Sequence, residues 1–228
     1  MHHIGQLNEQ PLHAALKAYC AQTAGQIEVL VDGYLIDVVS QGELIEIQTG
    51  NFSAIKPKLT ELSKNHPVRL VYPIAVEKWI LKCPQAEGDA IQRRKSPKRG
   101  RPVEVFAELV SFPKLVLVPN FTLELVMIQE EEVRRYMGKR RWRNNGWETE
   151  ERRLIKVLDQ RDFRGPVPFA GLLPPDLPET FTTADIAARL AIPRWLAQKM
   201  AFCLREMGAL GVVGKQGRSW LYTRSDEM

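Results

Sequence analysis

Two carboxylates lie inside apolar segments of the chain, where an unpaired charge is costly to bury. Asp37 interrupts the aliphatic run "LIDVV", and Glu46 lies between two isoleucines, with Gln48 two residues further on. Removing an isolated carboxylate from water costs several kcal/mol unless a partner compensates its charge. The segment at 34–53, "YLIDVVSQGELIEIQTGNFS", is therefore a candidate functional site.

The spacing of these residues is typical of a hairpin that gathers oxygen ligands. Successive side chains of a strand alternate between faces, so Glu46 and Gln48 point the same way. Asp37 belongs to the neighbouring strand, and antiparallel strands lie about 5 Å apart, so we expect the three side chains to converge. Such a hard, anionic pocket suits Mg²⁺ or Mn²⁺ better than zinc. A metal there would lower the pKa of bound water and neutralise a phosphodiester during in-line displacement.

The elements that must position these residues follow from hydrophobic periodicity. Asn8 is a candidate cap for a first helix, and Pro57 restricts the regular part of a second helix to its own position onward. The predicted order is αβββαβ, typical of a mixed sheet flanked by helices. The predicted elements are a helix at 8–23, strands at 27–33, 34–40 and 43–50 with a three-residue turn at 40–42, a helix at 53–65 and a strand at 68–76.

The rest of the chain predicts a larger first domain and a separate C-terminal unit. Residues 103–112 predict a helix, residues 121–129 a strand, and the segment from Glu148, "ETEERRLIKVLD", a further helix. A proline-rich linker follows. The predicted division is residues 1–135 with a basic insertion at 85–102, a connector with a helix and linker at 136–178, and a C-terminal domain at 179–228.

The αβββαβ stretch, over residues 8–76, resembles the PD-(D/E)xK nuclease superfamily, which includes many restriction endonucleases. The residues that carry the resemblance are "LID" at 35–37 and "IEIQTG" at 45–50. The resemblance implies a restriction endonuclease-like α/β fold and hydrolysis of DNA phosphodiester bonds with Mg²⁺ or Mn²⁺. It also implies that Asp37 and Glu46 are metal ligands.

The resemblance assigns roles to four further residues. Gln48 takes the place that lysine usually occupies, as an orienting or third ligand. Because Gln48 cannot carry a positive charge, Lys56 or Lys58 would supply that charge near the phosphate. Glu9 would be an auxiliary acid and metal ligand on the first helix. The alternative is that these acids only form the solvated face of a hairpin, and that Glu9 interacts with the helix dipole.

Two basic segments favour contact with nucleic acid. The run "RRKSPKRGRP" at 93–102 resembles an AT-hook, which implies that Arg99 and Arg101 bind DNA, with Arg101 in a narrow minor groove. A solvated basic loop that contacts phosphates without specificity is the alternative. The run "RRYMGKRRWRNNGW" at 134–147 places aromatic rings among cations, which suits stacking against bases, although the tryptophans could instead pack between domains.

The segment at 181–224 resembles a winged helix domain. Thr182 or Thr183 caps a short helix, a second helix runs from Arg194 to Met207, and a hairpin turns at 215–217. In that family the second helix enters the major groove and the wing touches phosphates. Some winged helices instead mediate only protein contacts. The resemblance implies DNA binding by Arg194, Gln198, Arg205, Lys215 and Arg218.

Composition limits the class of protein. The chain has 228 residues, of which 44% are hydrophobic and 26% charged, with a net charge of +5. Its three separated cysteines fit a reducing cytoplasm and exclude a disulfide framework. The chain shows neither a signal peptide nor an apolar stretch of about 20 residues that could cross a membrane.

The sequence therefore predicts a cytoplasmic, metal-dependent DNA endonuclease that acts on duplex DNA. Two cuts in a duplex would favour a homodimer. The second hypothesis is a non-catalytic DNA-binding regulator, or a defence-associated adaptor, with a degenerate nuclease fold. The third is a protein-interaction module whose winged helix binds a partner.

Overall fold

A computed structural model describes residues 10–22, 24–83, 91–138 and 146–225. The described chain forms a mixed sheet in the order β1-β2-β3-β4-β6-β7, with β5 paired to β4, and a three-stranded sheet in the order β8-β10-β9. The first half contains α1 (Pro11–Cys20), β1 (Gln26–Val31), β2 (Tyr34–Ser40), β3 (Glu43–Ile47), α2 (Phe52–Leu62), β4 (Val68–Cys83) and β5 (Gln92–Lys95). The second half contains α3 (Phe106–Leu109), β6 (Phe121–Tyr136), β7 (Trp147–Phe163), α4 (Val167–Ala170), β8 (Thr180–Phe181), α5 (Thr183–Leu190), α6 (Arg194–Glu206), β9 (Leu210–Gln216) and β10 (Ser219–Arg224).

The predicted αβββαβ order is confirmed for the described residues. Two tight turns build the antiparallel β1-β2-β3 meander. The first turn has positive φ at Asp32 and Gly33, and the second at Gln41 and Gly42, which is the backbone that two-residue hairpin turns require. The second turn is thus one residue shorter than predicted.

The two predicted helix starts are corrected. The first helix begins at Pro11, after Gln10 as its cap residue, whereas the candidate cap Asn8 lies outside the described residues. The second helix begins at Phe52 and includes Pro57 in its interior. Proline lacks only one amide donor, and packing of the buried helix face outweighs that loss.

The predicted helix at Glu148 is wrong, because this segment is strand β7. β7 pairs with β6 in antiparallel fashion from Tyr136↔Trp147 to Leu123↔Phe163. The large sheet therefore extends well beyond residue 135, where the first domain was predicted to end. Two parallel pairings, β3 with β4 and β4 with β6, complete its centre.

The C-terminal helices share one buried core with the large sheet. Phe106 and Phe169 lie with ring centroids 6.2 Å apart, and helix α3 contacts α6. The same apolar cluster includes Leu70 of the sheet and Met200 and Leu204 of α6. A second, smaller cluster holds α1 on the sheet. No helix in the described ranges is both long and apolar enough to cross a membrane.

Candidate functional site

Asp37 and Glu46 meet where the β2–β3 ladder ends. The last paired residues on this side are Val38 and Ile45. Beyond this pair, the side-chain carboxylates of the two acids, in place of backbone carbonyls, accept hydrogen bonds from backbone amides. Asp37 Oδ2 accepts the Ile47 amide at 2.9 Å, and Glu46 Oε1 accepts the Asp37 amide at 3.4 Å. The structure therefore brings Asp37 and Glu46 together at the end of this ladder.

Asp37 is held in its ionised form by two residues of α1. His13 Nε2 lies 3.4 Å from Asp37 Oδ2, and Lys17 Nζ lies 3.9 Å from Asp37 Oδ1. Burial raises the pKa of Asp37, but the hydrogen bonds from His13 and Ile47 and the nearby positive charges outweigh burial, so the pKa falls below its ordinary value.

Glu46 has the opposite electrostatic setting. Its side chain is only 4% exposed, and Lys58 Nζ lies 2.6 Å from Glu46 Oε1. Burial and the neighbouring charge of Asp37 raise the pKa of Glu46, and the hydrogen bond from Lys58 offsets this only in part. Two adjacent carboxylates whose pKa values are pushed apart are typical of sites that handle protons or cations.

Of the two lysines predicted to serve the site, the structure brings Lys58 to it. Lys58 also donates a hydrogen bond to the Leu35 carbonyl, which fixes its ammonium between β2 and β3. Lys56 is exposed and has no ion pair among the described residues. Since the two residues are two positions apart on one helix, they point in different directions, and of the two Lys58 faces the sheet.

The predicted convergence of Gln48 with the two acids is not seen. The Gln48 side-chain amide donates to the carbonyls of Gly50 and Asn51, and so closes the loop before α2. Local hydrogen bonding to the loop competes successfully with a turn toward the acids. The fourth predicted ligand, Glu9, lies outside the described residues. Within the described ranges, no three His, Cys, Asp or Glu side chains are grouped as a metal site.

Sequence reasoning missed His13 and Lys17. His13 Nε2 lies 3.0 Å from the Ile47 carbonyl, and since a carbonyl can only accept, this nitrogen carries a proton. Lys17 is buried and also pairs with Glu28 at 2.9 Å. Their spacing of one helical turn, on the helix that precedes the acidic strands, is the signal that could have identified them.

The first basic segment is largely engaged within the protein. Arg93 pairs with Glu131 at 2.7 Å, and Lys95 pairs with Glu77 at 2.8 Å. Arg99 lies 3.9 Å from the same Glu77. These pairs reduce the positive charge that the sequence suggested for DNA contact.

The residues of the predicted AT-hook core also have structural contacts. Arg101 donates to the Leu190 carbonyl at 2.7 Å, and the buried Gly100 donates its amide to the Ala75 carbonyl at 2.8 Å. In the second basic segment, Tyr136 and Trp147 pack with ring centroids 5.5 Å apart. Residues 139–145, including Trp142, lie outside the described residues.

The C-terminal residues predicted to bind DNA are exposed. Arg194, Gln198 and Arg205 lie on the open face of α6, although Arg205 pairs with Glu206 at 3.0 Å. Lys215 Nζ lies 4.4 Å from the centre of the Trp220 ring. The hairpin turns at 217–218, so that it ends at Arg218, one residue after the predicted turn. Thr182, one of the two predicted cap residues, caps α5, and a capping box with Asp185 completes this end of the helix.

Comparison with known proteins identifies a family. Residues 10–164 match a family described as a domain of unknown function (DUF8091), a span that runs from α1 to the end of β7. An uncharacterised protein of Treponema pallidum (strain Nichols) is 29% identical over 222 residues, which cover 97% of this chain and 87% of that protein. No solved structure matches the chain. Because the family match covers more than half of its length, this chain belongs to the DUF8091 family.

Proposed function

We propose that this protein is a metal-dependent nuclease that hydrolyses phosphodiester bonds of DNA. The observation that carries the proposal is the grouping of Asp37, Glu46 and Lys58 at the diverging ends of β2 and β3. Lys58 provides the positive charge that Gln48 cannot. The site therefore contains two acids and a lysine although the strand motif itself lacks the lysine.

The arrangement of elements supports a restriction endonuclease-like core. An antiparallel β1-β2-β3 meander, a helix that carries Lys58, and a β4 that runs parallel to β3 are the elements that such a core requires. Helices α5 and α6 with the β8-β10-β9 sheet support a winged helix, which would present Arg194, Gln198 and Arg205 to DNA.

The donor atoms at the site fit Mg²⁺ or Mn²⁺. Asp37, Glu46 and the carbonyl of Ile47 offer hard oxygen ligands, and the burial that raises the pKa of Glu46 would favour a further cation beside it. A divalent cation held by Asp37 and Glu46 would stabilise the charge that develops on the phosphate and lower the pKa of water.

The chain's own residues would each contribute to hydrolysis. The reaction forms a bond between a water oxygen and phosphorus, breaks one phosphorus–ester oxygen bond, and returns a proton to the leaving oxygen. Asp37 stays ionised because His13 and Lys17 depress its pKa. Lys58 would move from Glu46 toward the non-bridging phosphate oxygens and hold the phosphate by charge.

The proposal is tested by cleavage of labelled duplex, branched and single-stranded DNA, and of RNA, with Mg²⁺ or Mn²⁺. We expect cleavage that needs the metal and is lost in Asp37→Asn. Glu43→Gln is the control, because Glu43 lies on the same strand as Glu46 but pairs with Arg69 at 2.7 Å, away from the site. Absence of cleavage in every combination would contradict the proposal.

A second candidate is a non-catalytic DNA-binding protein with a degenerate nuclease fold. It is favoured by the cations already paired with both acids: His13 and Lys17 with Asp37, and Lys58 with Glu46. A regulator or adaptor of this kind would bind DNA with unchanged affinity when Asp37 is replaced. DNA binding without metal binding or cleavage would favour this candidate over the nuclease.

A further inference from the structure

We propose that a strand of nucleic acid with unpaired bases lies in the cleft between the basic segment at 98–101 and the start of α6, a route called the strand path below. In this cleft Lys98 would bind phosphate and Trp195 would stack on a base. The inference rests on the proposed function for the identity of the cut site, but the binding it describes needs neither metal nor cleavage.

The cleft is formed by two adjoining cavities of about 400 and 470 Å³. Tyr72, Lys98 and Glu104 line both cavities, which therefore adjoin each other. The first cavity reaches Thr49, which follows Gln48 in the loop after β3. The second ends at Trp195 in the first turn of α6. Each cavity has the volume of a site for one small-molecule-sized group, such as a single nucleotide.

The free positive charge of the cleft is concentrated in its middle. Lys78 and Arg152 line the first cavity but are both paired with the buried Glu130. The ammonium of Lys98 has no hydrogen bond or ion pair among the described residues. Arg99 is exposed but lies 3.9 Å from Glu77. Lys98 is therefore the cation of this segment that is available to a phosphate.

The segment that carries these cations is fixed in place. The amide of Gly100 bonds to the Ala75 carbonyl on β4, and a Cβ at this position would come within 2.8 Å of the same oxygen. On the other side, Arg101 bonds to the end of α5 at Leu190. The backbone two to three residues after Lys98 is thus anchored before a ligand binds, which reduces the entropy lost on binding.

The exposed ring of Trp195 favours a ligand that carries an unpaired base. Trp195 is 51% exposed, and it lies beside the cationic segment. Lys199 Nζ lies 5.6 Å from the ring but also donates to the Ala107 carbonyl. An unpaired base offers a ring face for stacking, whereas the base faces of a duplex are covered by their neighbours. The cleft therefore favours single-stranded or locally opened nucleic acid.

The test is fluorescence anisotropy of a labelled single-stranded oligonucleotide and of its blunt duplex, with chelator present and the salt concentration fixed. We expect Trp195→Ala to weaken binding of the single strand about tenfold and to leave binding of the duplex unchanged. Lys98→Ala should weaken it and reduce its salt dependence. The matched controls are Trp220→Ala, with a ring 47% exposed on the hairpin, and Lys156→Ala on the exposed side of β7.

Equal affinity of the wild type and Trp195→Ala for the single strand would overturn the inference, as would an equal loss in Trp220→Ala. An equal loss of duplex binding in Trp195→Ala would also overturn it. Circular dichroism melting shows whether each variant is folded. Asp37→Asn separates the two proposals: if it still cleaves but Trp195→Ala loses binding, the nuclease site fails and the strand path stands. If cleavage needs Asp37 and Trp195→Ala binds normally, the strand path alone fails.

Discussion

Lys58 Nζ lies 2.6 Å from Glu46 Oε1, and the lysine comes from helix α2 rather than from the strand that carries the acid. Two consequences follow from this pairing. The buried carboxylate of Glu46 has a cationic partner in the folded protein, and the positive charge that Gln48 cannot supply is delivered from a neighbouring element.

Replacing Lys58 with methionine should abolish most of the cleavage activity. The same change at Lys56 should have no effect. Loss of one charged group that stabilises a developing negative charge lowers kcat by about 10²- to 10³-fold. The change also leaves Glu46 without its partner, which costs about 1–3 kcal/mol of folding free energy at neutral pH. Cleavage rates and urea unfolding measure the two effects. Lys56→Met, on the exposed side of α2, should change neither, and equal losses in both variants would contradict the assignment.

Glu46→Gln should make the protein more stable at neutral pH. Burial raises the pKa of Glu46 in the folded state, so the protonated acid stabilises the fold at low pH and this contribution is lost as pH rises through the raised pKa. Glutamine is neutral at every pH. The gain in unfolding free energy of the variant over the wild type should therefore appear as pH rises from the ordinary to the raised pKa, and it should persist at higher pH. Urea unfolding across a pH series provides the measurement.

Asp37→Asn should show the reverse dependence in the same pH series. The pKa of Asp37 is lowered on folding, so its charge stabilises the fold above the ordinary pKa, and this contribution disappears as pH falls through the lowered value. The variant should therefore be less stable than the wild type at neutral pH, and the difference should shrink in acid. Parallel pH profiles for Asp37→Asn and Glu46→Gln would contradict the opposite settings of the two acids.

His13→Ala should weaken the function of Asp37 without removing a ligand. His13 orients Asp37 and the Ile47 carbonyl, and loss of such a supporting hydrogen bond lowers metal affinity or activity about 10- to 100-fold. The readout is the apparent affinity for Mn²⁺ in the cleavage reaction. His66→Ala is the matched control, since His66 pairs with Asp32 on an exposed turn. A loss confined to stability, with Mn²⁺ affinity unchanged, would refute the positioning role.

Gly100→Ala should destabilise the protein where Gly214→Ala does not. A Cβ at Gly100 would lie 2.8 Å from the Ala75 carbonyl oxygen, and forcing such overpacking costs about 1–3 kcal/mol. No atom lies within 4 Å of a Cβ at Gly214, so alanine there should alter stability by less than about 0.5 kcal/mol. Urea unfolding compares the variants, and equal stability would show that the basic segment is not clamped on β4.

The part of the site set by short-range turns could be predicted from the sequence. Asp32-Gly33 and Gly42 fix two tight turns, and these set the register that brings Asp37 next to Glu46. The direction of Gln48 could not be predicted, because it depends on the carbonyls of a loop that the sequence pattern does not define.

Strand β7 escaped prediction because its exposed residues show no alternation of apolar and polar side chains. Its strand conformation is imposed by pairing with β6 and by ion pairs such as Arg152 with Glu130. The shared core between α6 and the sheet is also a tertiary feature, since the apolar stripe on α6 predicts burial but not the partner surface.

The most direct test of the metal site is calorimetric titration of Mn²⁺ into the wild-type protein and into Asp37→Asn, with Glu43→Gln as control. The account predicts a saturable site in the wild type and in Glu43→Gln, and loss of that site in Asp37→Asn. The same Mn²⁺ affinity in Asp37→Asn as in the wild type, or no Mn²⁺ binding to any of the three proteins, would contradict it.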